Sequence, residues 1–417
     1  MTHPETRMVI DAIVARHFEE AAMLWWFRDA AVHDTQRDID SLGVLDGRLA
    51  AQLDGLRIAQ DAGWNESQLD VNLADPGEAF VRTVLALETR QFDSLNRILN
   101  AAEAEAPVAR AVVSAFGWTS AEVLRGIVKD LLSSPEPFRR AVGIAACAAH
   151  RVDPGGALRQ AIGDADELLA CRALRAAGEL GITDIGFDAG QLRESSGRRF
   201  WSAWASVLTG DRGRALDALA DLGLSTDHRR RAMQLVLRTI TPDAARDWLR
   251  GLRELENSTR DLLVGVGIVG DPSYVPWLIS RMEVFEEARL AGHALGMITG
   301  VDFADARLRR DRPADFVSGP SDDPDADDVA VDPDQELDWP HPDLVRKWWD
   351  ANGGKFVPGQ RFLAGVAVQP DHCTHLLRTG RQGFRVAAAF ELALMTPDAS
   401  LFNTSAPAWR QQRLLRG

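Results

Sequence analysis

The chain has 417 residues, 46% of them hydrophobic and 26% charged, an ordinary globular composition that is long for one compact core. Its formal net charge is -14. Ten acids lie between residues 313 and 340 with no Lys or Arg among them, and removing them leaves -4 for the rest. A body so nearly balanced has no basic excess to attract a phosphate backbone, so nucleic acid is not an expected partner.

Ala, Leu and Arg dominate nearly every segment and the β-branched alternation of strands is scarce, so the expected class is all-α. Cys147, Cys171 and Cys373 are too few and scattered for a disulfide framework, and the first two read as small core residues in Ala-rich helices. The opening MTHPETRMVIDAI has no basic stretch followed by an apolar signal region. No run approaches the ~18 apolar residues of a membrane span. A reducing cytoplasm is the expected compartment.

In chain order, residues 1–90 read as an N-terminal helical cap. Val9, Ile13, Phe18, Ala21, Leu24 and Trp25 form one apolar stripe, and Leu42, Leu45, Leu49, Leu53 and Leu56 form the facing one across the connection HDTQRD. A third helix is predicted from about Pro76 to Thr89.

Residues 91–312 read as a repeat array. Turn signals at Ser120, Asp153, Asp184, Asp211, Thr241 and Asp271 are separated by 33, 31, 27, 30 and 30 residues, each interval fitting two short helices. Glycine closes AAGELG, GVGIVG and ALGMITG, as a helix C-cap does. The clearest unit, GDPSYVPWLISRMEVFEEARLAGHALGMITG, resembles HEAT repeats. The predicted architecture is a HEAT-like α-solenoid, a right-handed superhelix of helix pairs with about seven units.

Residues 313–340 are acidic and Pro-punctuated, and read as a flexible, solvated linker. Residues 341–417 form a C-terminal helical segment: HPDLVRKWWDANGG as a short helix ending in glycine, then PDHCTHLLRTGRQGFRVAAAFELALM as one more pair.

The segments EEAAMLWWFRDAAV and LDGRLAAQLDGLRIAQDAGW, with PGQRFLAGVAV, LLRTGRQGFRVAAAFELALMTPDASLF and APAWRQ near the other end, resemble an uncharacterised family of proteobacterial HEAT-repeat proteins. Genes of that family often lie near type VI secretion components. The resemblance spans both ends and the repeats between, and implies an accessory, adaptor or immunity role.

Candidate sites are few. Gly265, Gly267 and Gly270 spell G-x-G-x-x-G, but at the end of a repeat helix, with no strand before them; capping and packing explain them. His372, Cys373 and His375 are close in sequence, yet only His372 and His375 share a helix face and no second cluster completes a metal site. Asp322, Asp323, Asp325, Asp327 and Asp328 lack the central Gly and terminal Glu of a calcium loop.

Trp201 and Trp204, preceded by Arg198 and Arg199 in RRFWSAW, read either as core or as a partner-binding patch, since Trp and Arg are enriched in such patches. Arg28 continues the first apolar stripe and faces the second helix, where Asp46 or Asp54 can form a structural ion pair with it. No serine–histidine–acid arrangement, GxSxG, HExxH or P-loop is present. No catalytic residue, cofactor or metal ligand is assigned. The expected function is a non-catalytic scaffold or adaptor that binds a protein, linked by the resemblance to type VI secretion. The alternatives are an enzyme on a HEAT-like scaffold, of lyase or glycosylase type, and an oligomerising structural scaffold.

Overall fold

A computed structural model describes residues 10–66, 75–185, 195–225, 228–317 and 332–416. Among these the chain is all-helical, with 22 α-helices and a single pair of two-residue strands. It divides into two compact units, Met1–Thr209 with Asp398–Gly417, and Gly210–Pro397.

In the first unit, the helix Asp11–Ala31 buries Val14, Phe18, Ala21, Trp25 and Arg28, positions stepped by four and three. That phase corrects the expected stripe at its start. Ile13 is one position out of phase with it and is 51% exposed, while Val9 lies outside the described residues. The second helix, Ile39–Ile58, is opened by Asp38, which accepts from Ser41 N, and buries Leu42, Leu45, Leu49, Leu53 and Leu56. Pro76–Thr89 starts with an Asp75 cap and Pro at the first turn, and is buried on nearly every side. Trp25 stacks on Phe80 at 5.8 Å, and Phe80 meets Trp118 edge-on at 6.1 Å, so three helices share one aromatic centre.

From there a succession of helices continues, Pro76–Thr89 on Ala106–Trp118, then Pro137–His150, Glu167–Leu180 and Ser196–Leu208, each packed on the one before. Their starts fall about thirty residues apart. The C-terminal stretch from Asp398 joins this unit: Leu401 N donates to Glu179 O at 3.0 Å, and Asn403 Nδ2 to Ala149 O at 3.1 Å.

In the second unit, Arg229–Thr239, Thr259–Val269 and Phe285–Thr299 pack in order. Gly270 and Gly300 close the last two in the left-handed region, at φ 72° and 69°. The strands Phe362–Leu363 and Val366–Ala367 form a small hairpin across those two helix ends. Phe362 N donates to Gly270 O at 2.8 Å, and Ala364 N to Met297 O at 2.8 Å.

The linker reading needs correction at its C-terminal end. Asp332 is bound by both Arg289 amino groups at 2.7 and 2.9 Å, and Asp334, 4% exposed, by both of Arg260 at 2.6 and 2.7 Å. Paired, bidentate carboxylates of this kind are packed rather than solvated. Composition alone counted the acids without seeing their distant arginines. Asp322, Asp323, Asp325, Asp327 and Asp328 lie outside the described residues.

Candidate functional site

Trp201 and Trp204 sit on the helix Ser196–Leu208, only 9% and 4% exposed. Their rings meet edge-on at 5.5 Å, and Gly178 makes room for Trp204, since a Cβ there would stand 2.7 Å from Trp204 Cζ3. Arg175 lies over the Trp201 ring at 5.3 Å. Arg198 is turned to Glu167 Oε2 at 3.1 Å and to the carbonyls of Asp164 and Ala165 at 2.6 and 3.0 Å. Arg199 is half-buried, its Nε enclosed without a hydrogen bond. The partner-patch reading of Arg198, Arg199, Trp201 and Trp204 is therefore corrected: the indoles fill the interior between two helices, and Arg198 binds the turn that precedes Glu167–Leu180.

Arg28 and Asp46 lie 2.8 Å apart with side chains 7% and 2% exposed. Asp54 does not take part. It is 62% exposed and pairs with Arg57, because position 54 faces outward next to the buried Leu53.

Gly265 and Gly267 are packing positions, where a Cβ would meet Leu249 Cδ2 at 2.7 Å and Ala294 Cα at 3.3 Å. His372 Nε2 donates to Leu363 O at 2.8 Å, and Cys373 is fully buried, its thiol pushed up to about 11 by burial. Among the described residues no group of three or more His, Cys, Asp or Glu is placed to hold a metal.

Two features were not foreseen. On the helix Asp11–Ala31, Met23, Trp26 and Phe27 are 48%, 45% and 55% exposed. With Ile13 they follow the helix's outer face, interrupted one to two turns earlier by the ion pair Arg16–Glu20 at 2.7 Å. The WW pair thus splits, with Trp25 turned inward to donate to Ser114 Oγ at 3.0 Å and Trp26 outward. The spacing 23, 26, 27 was visible in the sequence; which of two overlapping apolar stripes is buried was not.

The second feature is a cavity of about 350 Å³ in the second unit, bordered by Arg212, Arg238, Arg361 and Glu391 among others. Glu391, from the helix Gln382–Met395, is bound by Arg361 and lies 3.2 Å from Arg238 Nε. These residues come from four separate stretches, so no local motif announces them.

No protein-family model, no curated protein and no solved structure matches the chain. No helix among the described residues is long and apolar enough to cross a membrane.

Proposed function

We propose that the chain is a non-catalytic, HEAT-like repeat protein that binds a protein partner through the outer face of its first helix. The observation that carries this reading is the half-exposed row Met23, Trp26 and Phe27 on consecutive turns, beside a side chain as fully buried as Trp25. A contiguous aromatic and thioether face of this kind is costly to leave in water and is the usual composition of an interface centre. From Ile13 to Phe27 the face extends for about 20 Å at 1.5 Å per residue, a length suited to an amphipathic helix laid alongside. Its margin is mixed, with Arg16 and Glu20 on the face and Arg110 bound to Asp29 at 2.7 Å beside it, which suits a partner of alternating charge. The succession of helices at intervals of about thirty residues supports the repeat reading. On the resemblance carried by both ends of the sequence, the partner is a type VI secretion component or effector, and the role accessory, adaptor or immunity.

The test is affinity capture from the native lysate with tagged full-length chain, run beside the variant Met23→Ser/Phe27→Ser. Both side chains are exposed, so the variant should melt with the parent to within about 0.5 kcal/mol. A stoichiometric protein captured by the parent and lost from the folded variant supports the reading. Equal capture by both, or none by either, overturns it.

A further inference from the structure

The outer face of the first helix is complementary to itself turned end for end. Down that face run Ile13, Arg16, Glu20, Met23 and Phe27, at alternating steps of three and four residues, the spacing of a two-helix seam. An ion pair stands between the apolar groups, Arg16 Nε 2.7 Å from Glu20 Oε1, with the arginine side chain 77% exposed and the glutamate 31%. Gln52 Nε2 donates to Glu20 Oε2 at 2.6 Å, so that carboxylate is held in place from the second helix. The order along the face is thus apolar, basic, acidic, apolar. An antiparallel second copy sets Ile13 opposite the second copy's Met23 and Arg16 opposite the second copy's Glu20, and the two-fold axis repeats both contacts. A parallel copy in register would set like charge on like charge. An antiparallel copy shifted to bring Met23 against the second copy's Phe27 would set Glu20 opposite Ala30 and leave Arg16 beyond the helix end, with neither charge opposed.

We propose that two copies of the chain pair antiparallel through this face, and that the partner inferred above binds by displacing the second copy. The proposal rests on the reading of that face as an interface and adds its regulation. Met23 is then covered by the second copy's Ile13, and Trp26 lies opposite the second copy's Ile10, itself half-exposed. Pairing in the partner's absence removes the cost of leaving an aromatic and thioether patch in water. The seam is a single helix face, smaller than a permanent interface, so its dissociation constant is expected on the order of micromolar, weak enough for a tighter partner to displace.

Sedimentation velocity of the purified full chain over a range of concentration tests this. The expected result is a reversible monomer–dimer equilibrium. Arg16→Glu and Glu20→Arg should each weaken the dimer about tenfold, since each sets like charges across the seam twice. An equimolar mixture of the two variants should pair again, to within about threefold of the parent, because each then supplies the charges the other lacks. Arg16 is exposed, so Arg16→Glu keeps the test valid if Glu20→Arg fails to fold. A parent that stays monomeric, a dimer indifferent to Arg16→Glu, or folded variants that do not pair when mixed would each overturn the proposal. A monomeric parent that still captures a lysate protein through this face overturns the pairing alone. A dimer that obeys the charge pattern while no protein is captured supports the pairing and overturns the partner reading alone.

Discussion

Asp46 accepts a hydrogen bond from the backbone N–H of Ala408 at 2.6 Å, joining the second helix of the chain to its last. The same carboxylate takes Arg28 Nε at 2.8 Å, and Arg28 Nη2 donates to Ser405 O at 2.9 Å. Helix Ala408–Arg416 also closes on the second helix where Gly43 leaves space, a Cβ there standing 3.6 Å from Ala408 Cβ. One buried ion pair thus orients the first hairpin and anchors the C-terminal stretch. Removing one partner strands the other charge in the interior, at a cost of about 3–5 kcal/mol. Arg28→Ala is therefore expected to lower the melting temperature sharply, and the paired Arg28→Met/Asp46→Leu to lie nearer the parent. An unchanged melting temperature for Arg28→Ala would remove the structural role.

Two glycines, one a helix cap and one inside a helix, give predictions of opposite sign. Gly270 has φ 72°, and a Cβ on it would stand 2.3 Å from Phe362 O. Gly270→Ala is expected to cost about 2 kcal/mol or more, from left-handed backbone and displacement of the strand hairpin. Gly47, inside the helix Ile39–Ile58, has nothing within 4 Å of its Cβ position. Gly47→Ala should stabilise by about 0.5–1 kcal/mol. Denaturant midpoints of the two variants decide both.

The acidic segment ought to respond to loss of its anchors. Asp332 and Asp334 are bound to Arg289 and Arg260, and Arg310 N donates to Trp339 O at 2.9 Å just before that segment. Asp332→Asn/Asp334→Asn removes the carboxylate charge from both pairs and leaves each arginine one acceptor oxygen in place of two. Limited tryptic digestion should then cut faster after Arg310 than in the parent; an equal rate would show that these pairs do not hold the segment.

Stability should rise with pH in two successive windows that overlap slightly above pH 4. Burial, against the pull of Asp334, holds His293 down at about 4 from an ordinary 6.5. The unfolded chain then binds more protons between those values, so this contribution is complete above pH 6.5 and is lost as pH falls toward 4. With part of the ring still touching solvent, the loss is on the order of 2 kcal/mol. Burial pushes the Glu179 carboxyl up, but Arg172, Arg175 and Arg151 outweigh it and hold it at about 2, from 4.5. Its contribution is complete above pH 4.5 and fades as pH falls toward 2. His293→Gln should flatten the first window and spare the second, as read from melting temperature against pH.

What could be read from the sequence was whatever repeats locally. The leucine stripe at 42–56, the helix Pro76–Thr89 and the glycine caps at 181, 270 and 300 each rest on a few neighbouring residues. Whatever depends on distant partners was not legible. The strand hairpin exists because two helix ends offer Gly270 O and Met297 O to a segment some ninety and seventy positions later, roughly. Asp332 and Asp334 read as solvated until Arg289 and Arg260 are set beside them, and Asp54 looked as suitable for Arg28 as Asp46 did. RRFWSAW reads as core or as a partner-binding patch because Trp and Arg suit both interiors and interfaces, and only the packing at Gly178 separates the two.

The first-helix face is tested most directly by a photo-crosslinking residue placed at Phe27, with a control at the exposed Arg250, in full-length chain within the native lysate. The expected result is one dominant protein adduct from position 27, absent from position 250 and lost when Met23→Ser is added. Adducts that are the same from both positions, or none from position 27, would contradict a partner bound on that face.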